Sequence, residues 1–153
     1  MTAKASLTLQ SPVGPLTLDE VDGAIVRLGW NGDGHDDTPA LNMAAQQLAE
    51  YFAGQRQSFD LPLCPKVSPF HRSFLDTLIA IPYGETRTYG DLARDLRISA
   101  QAAGQACGAN PIAILIPCHR VLAADGLGGF SAPGGIETKV ALLRLEGAAS
   151  LLL

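Results

Sequence analysis

A cysteine, a histidine and an arginine follow one another at Cys118, His119 and Arg120, after a proline and ahead of a glycine-rich loop. A thiol beside an imidazole and a cation has three chemical uses: it can bind a metal ion, act as the nucleophile of a hydrolase, or accept a group and keep it. The inert alternative is a buried cysteine beside a surface histidine. The rest of the chain has to decide between these interpretations.

Ionisation of the Cys118 thiol is the first requirement for nucleophilic chemistry. A free thiol with a pKa near ~8.5 is only a few per cent thiolate at pH 7. A neighbouring imidazole, arginine or helix start can lower that pKa. In a continuing strand Cys118 and His119 would face apart, so either the chain turns at Pro117 or a water bridges the two side chains. His119 also needs a partner that favours the imidazolium form, and Glu146, at the end of the last predicted helix, is our candidate.

A metal site is not predicted. Zinc sites usually use close pairs such as CxxC or HxxxH, whereas Cys64, Cys107 and His71 are scattered along the chain. We therefore expect no metal site. A thiol hydrolase stays open, because cysteine and histidine are its minimum equipment.

Composition limits the class of protein. The chain has 153 residues, of which 47% are hydrophobic and 17% charged, which suits one domain or two small ones with a real core. No apolar run approaches the ~20 residues that span a bilayer, so we expect no membrane association. Three cysteines are too few and odd in number for a disulfide framework. We expect a cytoplasmic protein.

The charge is unevenly distributed along the chain. Residues 1–66 carry four Lys and Arg against eight Asp and Glu, and residues 67–153 carry seven of each. A strong nucleic-acid binder usually has a basic excess. Any DNA-binding surface must therefore be local and lie in the second half.

The first half predicts a small sheet and one helix. Apolar and polar residues alternate through "SLTLQSPVGPLTLDEVDGAIVRLGW", with turn residues at hairpin spacing. Leu41, Ala45, Leu48 and Phe52 then recur at helical spacing ahead of Gly54. The proline-rich "SFDLPLCPKVSP" reads as a connector. We place the domain boundary near residue 66, giving domains 1–66 and 67–153.

The second half predicts mainly helices. An apolar stripe runs through Phe70, Phe74, Leu78 and Ile81, and Thr88 can cap a short helix over "YGDLARDL". A brief turn at 97–99 leads into "AQAAGQACGAN", so the two segments are spaced like a helix-turn-helix, or like an ordinary pair of packed helices. The run "IAILI" between two prolines should be buried. A last helix is expected over 137–146.

Three blocks of this chain resemble the O6-alkylguanine-DNA alkyltransferase family, the methylated-DNA–protein-cysteine methyltransferases. In chain order they are "IPYGETRTYGDLA", "NPIAILIPCHRV" and "GFSAPGGIETKVALLRLEG", which is also the family's order. "QQLAEYFAGQRQSFDLPL" is similar to its interdomain helix and linker. The resemblance implies an α+β fold. A ribonuclease H-like sheet-and-helix domain precedes a helical domain that carries a winged-helix-like helix-turn-helix and the active-site cysteine.

The resemblance also implies a reaction. A guanine alkylated on O6 (O4-alkylthymine is a second candidate) is rotated out of duplex DNA, and a cysteine thiolate takes its alkyl group irreversibly. The implied partner is double-stranded DNA containing O6-alkylguanine, bound by a monomer without a cofactor. The implied catalytic residues are Cys118, His119, Glu146, Tyr89 and Asn110. The implied substrate-binding residues are Ser131, Val121, Gly135 and Lys139, and the implied DNA-binding residues are Gln101, Arg97, Thr88 and Arg120.

Within that set, Cys118 is the acceptor, and His119, acting through water and polarised by Glu146, removes its proton. Tyr89 matches the tyrosine that helps neutralise the departing guanine. Ser131 matches the loop position that recognises O6, and Asn110 matches the asparagine that braces the site. Arg120 and Lys139 match supporting positions.

Gln101 departs from the family pattern, because an arginine that enters the duplex usually stands there. Glutamine can donate hydrogen bonds to the orphaned cytosine but lacks the charge and the planar fork. Arg97, in the turn, is a candidate for compensation. The alternatives are therefore a lesion-binding or regulatory relative with weak transfer activity, and a thiol hydrolase, which would turn over repeatedly.

Overall fold

A computed structural model of the protein describes residues 4–130 and 132–148. The predicted α+β class is confirmed. By compactness the chain forms two units, the first comprising residues 1–66 and 111–115 and the second residues 67–110 and 116–153. None of the helices in the described ranges is long and apolar enough to cross a membrane.

The first unit is a three-stranded antiparallel sheet with one helix. Its elements are β1 (Lys4–Leu9), β2 (Leu16–Val21), β3 (Ala24–Trp30) and α1 (Pro39–Phe52), and the strand order is β1-β2-β3. The β2–β3 turn has Asp22 at φ 52° and Gly23 at φ 81°, positive values typical of an Asp-Gly hairpin turn. The predicted hairpins follow from this local chemistry.

One face of the sheet packs with α1. Leu16, Leu18 and Ile25 of the sheet are fully buried, as are Leu41 and Leu48 of α1. Helix α1 begins at Pro39 because the Thr38 hydroxyl accepts a hydrogen bond from the Leu41 amide and proline occupies the first turn. Residues 111–115 complete this unit, since the Leu28 amide donates to the Pro111 carbonyl at 3.0 Å.

The described part of the second unit contains four α-helices, one 3-10 helix and a minimal sheet. Its elements are α2 (Pro69–Ile79), β4 (Arg87–Thr88), α3 (Tyr89–Leu96), α4 (Ala100–Gly108), a 3-10 helix (Cys118–Arg120), β5 (Val121–Leu122) and α5 (Ile136–Leu145). β4 and β5 pair in parallel. Phe74, Leu75 and Leu78 bury one side of α2, but Phe70 is 52% exposed, so the predicted apolar stripe is shorter than its spacing indicates.

Helices α3 and α4 form the predicted helix-turn-helix. Thr88 caps α3 in a capping box, in which its hydroxyl accepts from the Asp91 amide and the Asp91 carboxylate accepts from the Thr88 amide, both at 3.0 Å. Arg97 ends α3 in the left-handed conformation, with φ 57°. Ser99 caps α4 through the Ala102 amide. Both helix starts are therefore set by single hydroxyl groups.

Candidate functional site

The backbone turns twice before it delivers Cys118. Residues 113–115 form a γ-turn, in which the Leu115 amide donates to the Ala113 carbonyl at 2.8 Å and Ile114 has φ 71°. A β-branched residue at positive φ costs ~1–3 kcal/mol and persists only where its surroundings impose it. Ile114 is fully enclosed by protein, at 1% exposure. The apolar run is thus buried as predicted, but it is not a strand.

Pro117 produces the second turn. Its φ of −82° and ψ of 66° are those of an inverse γ-turn, closed by a hydrogen bond from the Cys118 amide to the Ile116 carbonyl at 2.8 Å. The proline ring fixes φ near this value and so preorganises the turn. The 3-10 helix Cys118–Arg120 begins directly after it. The turn at Pro117 that was considered from the sequence is therefore present.

The sulfur of Cys118 lies in a buried polar setting, since the residue is only 7% exposed. The Cys107 side chain is the largest influence on the Cys118 thiol. Together with Asn110 and the nearby Lys139 ammonium, it holds the pKa of Cys118 below its ordinary value, although burial opposes this. Asn110 also braces the backbone, because its amide donates to the Ile116 carbonyl at 2.8 Å. The arrangement favours a thiolate.

His119 and Glu146 form a fully buried pair, with Nε2 2.6 Å from Oε2. Burial lowers the pKa of His119, and the Glu146 hydrogen bond offsets this only in part. The ring is therefore neutral at pH 7, and Nε2 carries its proton because the carboxylate can only accept. Nδ1 then presents a lone pair, and among the residues that the structure describes it is the buried side-chain atom without a partner. A lone pair of this kind can accept a proton through a water.

Arg120 points inward, not toward a surface that DNA could reach. It is 6% exposed, and its Nε and Nη2 donate to the two Glu146 oxygens at 2.8 and 3.1 Å, while Nη1 donates to the Ile81 carbonyl at 2.7 Å. A two-pronged contact of this type fixes the carboxylate plane. We therefore replace the expected DNA contact of Arg120 with a role in orienting Glu146.

Lys139 also has its charge inside the protein. It is fully buried on α5, and its Nζ donates to the carbonyls of Val121, Leu127 and Gly129 at 2.6, 2.5 and 3.2 Å. Burial lowers the pKa of this ammonium. The side chain thus fastens the glycine-rich loop to β5, and Val121 contributes its backbone carbonyl.

Tyr89 begins α3 and lies under the same loop. The Lys139 Nζ is 5.9 Å from its ring centroid, and a Cβ added to Gly128, whose φ is 73°, would meet Tyr89 Cε2 at 3.0 Å. The loop backbone therefore needs glycine to approach the ring. Burial raises the pKa of Tyr89 to about 12, so its hydroxyl stays protonated and can donate. Sequence reasoning missed Gly128, although the run of glycines indicated a close approach.

The remaining expected residues divide between the site and the helix-turn-helix. Gly135 precedes α5 with φ 51°, and Thr88 serves as the cap of α3. Gln101 and Arg97 are exposed on α4 and in the turn before it. Ser131 lies outside the described residues. Nowhere in residues 4–130 and 132–148 do three or more His, Cys, Asp or Glu side chains gather as metal ligands.

Two family models cover most of the chain. Residues 6–65 match the ribonuclease-like domain of 6-O-methylguanine DNA methyltransferase, and residues 69–148 match the DNA binding domain of the same family.

Individual relatives are similar over nearly their whole length. A Methanosarcina acetivorans protein named methylated-DNA–protein-cysteine methyltransferase is 46% identical over 150 residues, which is 90% of this chain and 95% of that protein. A Mycobacterium bovis protein of the same name is 41% identical over 150 residues, covering 91% of this chain and 90% of its own. A Mycobacterium tuberculosis relative solved in complex with DNA has a TM-score of 0.84 and 40% identity, covering 97% of this chain and 98% of its own.

Proposed function

Because the chain belongs to the 6-O-methylguanine DNA methyltransferase family, we propose that it repairs DNA by moving an alkyl group from guanine O6 to the sulfur of Cys118. The observation that carries this proposal is the buried Cys118 thiol, whose neighbours favour the thiolate, next to a neutral His119 with an unpartnered Nδ1. Alkyl transfer needs such a nucleophile and a base that can collect its proton.

The reaction proceeds in two stages. A water between Cys118 and His119 passes the thiol proton to Nδ1, and the Glu146 carboxylate stabilises the resulting imidazolium through its hydrogen bond to Nε2. The thiolate then attacks the alkyl carbon, so that a carbon–sulfur bond forms while the bond to guanine O6 breaks. The electron pair of that bond leaves with the guanine. The Tyr89 hydroxyl donates a hydrogen bond to the departing base.

The product is a thioether on Cys118. Neither an imidazole nor a carboxylate cleaves a carbon–sulfur bond of this kind under mild conditions, so each molecule serves once. This feature separates the proposal from a thiol hydrolase, whose acyl intermediate is released by water.

Duplex DNA containing O6-alkylguanine is the proposed partner of the helix-turn-helix. The alkyl carbon is out of reach inside the base stack, so the guanine has to be rotated into the site. We propose that Gln101, which is exposed on α4, enters the gap. We propose that the protein acts as a monomer in the cytoplasm, where its three free thiols stay reduced.

Binding to undamaged duplex should be weak. Of the seven Lys and Arg residues in 67–153, Arg120 and Lys139 are buried, which leaves five; of the seven Asp and Glu residues Glu146 is buried, which leaves six. The unit that carries the helix-turn-helix therefore has no basic excess outside its interior. Affinity for DNA depends largely on neutralised phosphates.

Mass spectrometry tests the assignment directly. The protein is incubated with a duplex that contains one O6-methylguanine, digested and sequenced by fragmentation. We expect one methyl group on Cys118, at a limit of one per protein molecule, and the same result for Cys64→Ser. Cys118→Ser should remain unmodified. Tight lesion binding without methylation would favour a lesion-binding protein, and more than one methyl lost from DNA per protein molecule would favour a turnover enzyme.

A further inference from the structure

A second buried thiol lies beside the nucleophile. Cys107, in the last turn of α4, is 6% exposed, and its Sγ donates a hydrogen bond to the carbonyl oxygen of Cys118 at 3.6 Å. Both cysteines are free thiols. The proposed reaction above gives Cys107 no task, although its sulfur is next to the residue that reacts.

Cys107 occupies one of the two buried positions of α4. Ala103 and Cys107, one turn apart, are the two buried residues of this helix, and Ala103 fills its place with a methyl group. A cysteine there adds a sulfur that can donate a proton. The acceptor of the Cys107 S–H group then matters, since the carbonyl and the sulfur of Cys118 are both near.

The pKa values of the two thiols are shifted in opposite directions. The hydrogen bond with Cys118, followed by burial, raises the pKa of Cys107 far above its ordinary range, while that same contact lowers the pKa of Cys118. Cys107 therefore stays a donor at neutral pH, and Cys118 is the one that ionises.

We propose that Cys107 is a positioning residue for the alkyl transfer: its S–H group turns from the Cys118 carbonyl to the Cys118 sulfur when that sulfur ionises, and holds it for attack. The proposal rests on the function proposed above, but only in that Cys118 is the nucleophile. No covalent bond changes and no co-reactant is needed, because the proton stays on Cys107 throughout.

Other polar groups around Cys118 act in the same direction or are neutral. Asn110, in the segment after α4, and the Lys139 ammonium on α5 both lower the pKa of Cys118. Tyr89, on α3, is protonated at the pH values of interest. His119 is neutral and bound to Glu146. In the proposed arrangement Cys107 acts beside Asn110 and Lys139, and its loss should be measurable above their contribution.

The test compares Cys107→Ala with Cys107→Ser, which differ only by a hydroxyl donor. The rate at which iodoacetamide alkylates Cys118 is measured from pH 5 to pH 10 without DNA, with the modified residue located by fragmentation. We expect Cys107→Ala to react about tenfold more slowly at pH 7, with the midpoint of its pH profile moved upward, because a hydrogen bond to the charged form is lost. Cys107→Ser should keep the midpoint close to that of the parent.

Two results would overturn the proposal: equal midpoints in the parent and Cys107→Ala, whatever the rate, or an equal upward movement in both variants. The first would mean that Cys107 only fills space. If neither variant folds, the S–H stretching band of the parent decides, since it must move to lower wavenumber as Cys118 ionises, and an unmoved band refutes the proposal. Failure of methyl transfer from DNA by the parent would instead overturn the proposed function and leave these thiol measurements interpretable.

Discussion

His119 Nε2 and Glu146 Oε2 lie 2.6 Å apart, and neither side chain is exposed to solvent. The same carboxylate accepts two hydrogen bonds from Arg120. One negative charge therefore orients the imidazole and neutralises a buried guanidinium. Because the Glu146 carboxylate binds both side chains, any change to it affects fold stability and chemistry together.

Replacing Glu146 with glutamine should reduce both stability and transfer rate. Glu146→Gln leaves the Arg120 charge buried without a counter-charge, and breaking a buried pair in this way costs about 3–5 kcal/mol. It also removes the charge that stabilises the His119 imidazolium. Urea unfolding and single-turnover methyl transfer measure the two effects. Glu137→Gln, an exposed acid on the same helix, is the matched control and should change neither.

Lowering the pH should destabilise the protein partly through His119. Because burial holds the folded pKa of His119 below its unfolded value of about 6.5, the unfolded chain takes up the proton first. The associated stability is complete above about pH 6.5 and is lost as the pH falls toward the folded pKa. Urea unfolding between pH 7.5 and pH 5 measures this. The slope should be smaller in His119→Gln, and equal slopes would show that His119 is not the group responsible.

Tyr89→Phe should slow the transfer without weakening the binding of undamaged DNA. The Tyr89 hydroxyl, with its pKa raised to about 12, is protonated at neutral pH and can donate to the leaving guanine. Removing a positioned proton donor typically costs about a hundredfold or more in rate. Single-turnover kinetics give the rate, and fluorescence anisotropy with unmodified duplex gives the affinity. A transfer rate equal to that of the parent would exclude Tyr89 from the reaction.

Gln101→Arg should tighten duplex binding. Gln101 is exposed near the start of α4, and an added guanidinium can neutralise one phosphate or fill the gap left by the extruded base. If it neutralises a phosphate, the slope of log affinity against log salt concentration becomes steeper by about one. Titrations at several salt concentrations give that slope, and Gln101→Lys separates charge from shape. Unchanged affinity in both variants would show that α4 does not meet DNA through this position.

Local chemistry made much of the fold predictable. The turn at Asp22 and Gly23 and the cap at Thr88 each depend on neighbouring residues alone, so the sequence indicates them correctly. Glu146 was identified as the partner of His119 because its place at the end of the last helix is also a matter of local spacing.

Long-range packing could not be predicted in the same way. An apolar run carries no sign that Ile114 is at positive φ, because the surroundings impose that conformation. Arg120 was expected to contact DNA because of the family resemblance, but only the fold shows that Glu146 accepts its hydrogen bonds inside the protein. Cys107, which neighbours the nucleophile, is eleven residues away from it in sequence. Only the fold, which brings the end of α4 next to Cys118, makes them neighbours.

Residues 111–115 belong to the first unit although the chain on either side of them belongs to the second. Residues 67–153, which contain Cys118, are consequently not expected to fold as an independent domain. A fragment that starts at residue 67 would keep the isoleucines of this stretch and lose Leu28, whose amide anchors them at Pro111. Exposed aliphatic side chains of that kind promote aggregation, so a shortened variant should retain the first 66 residues.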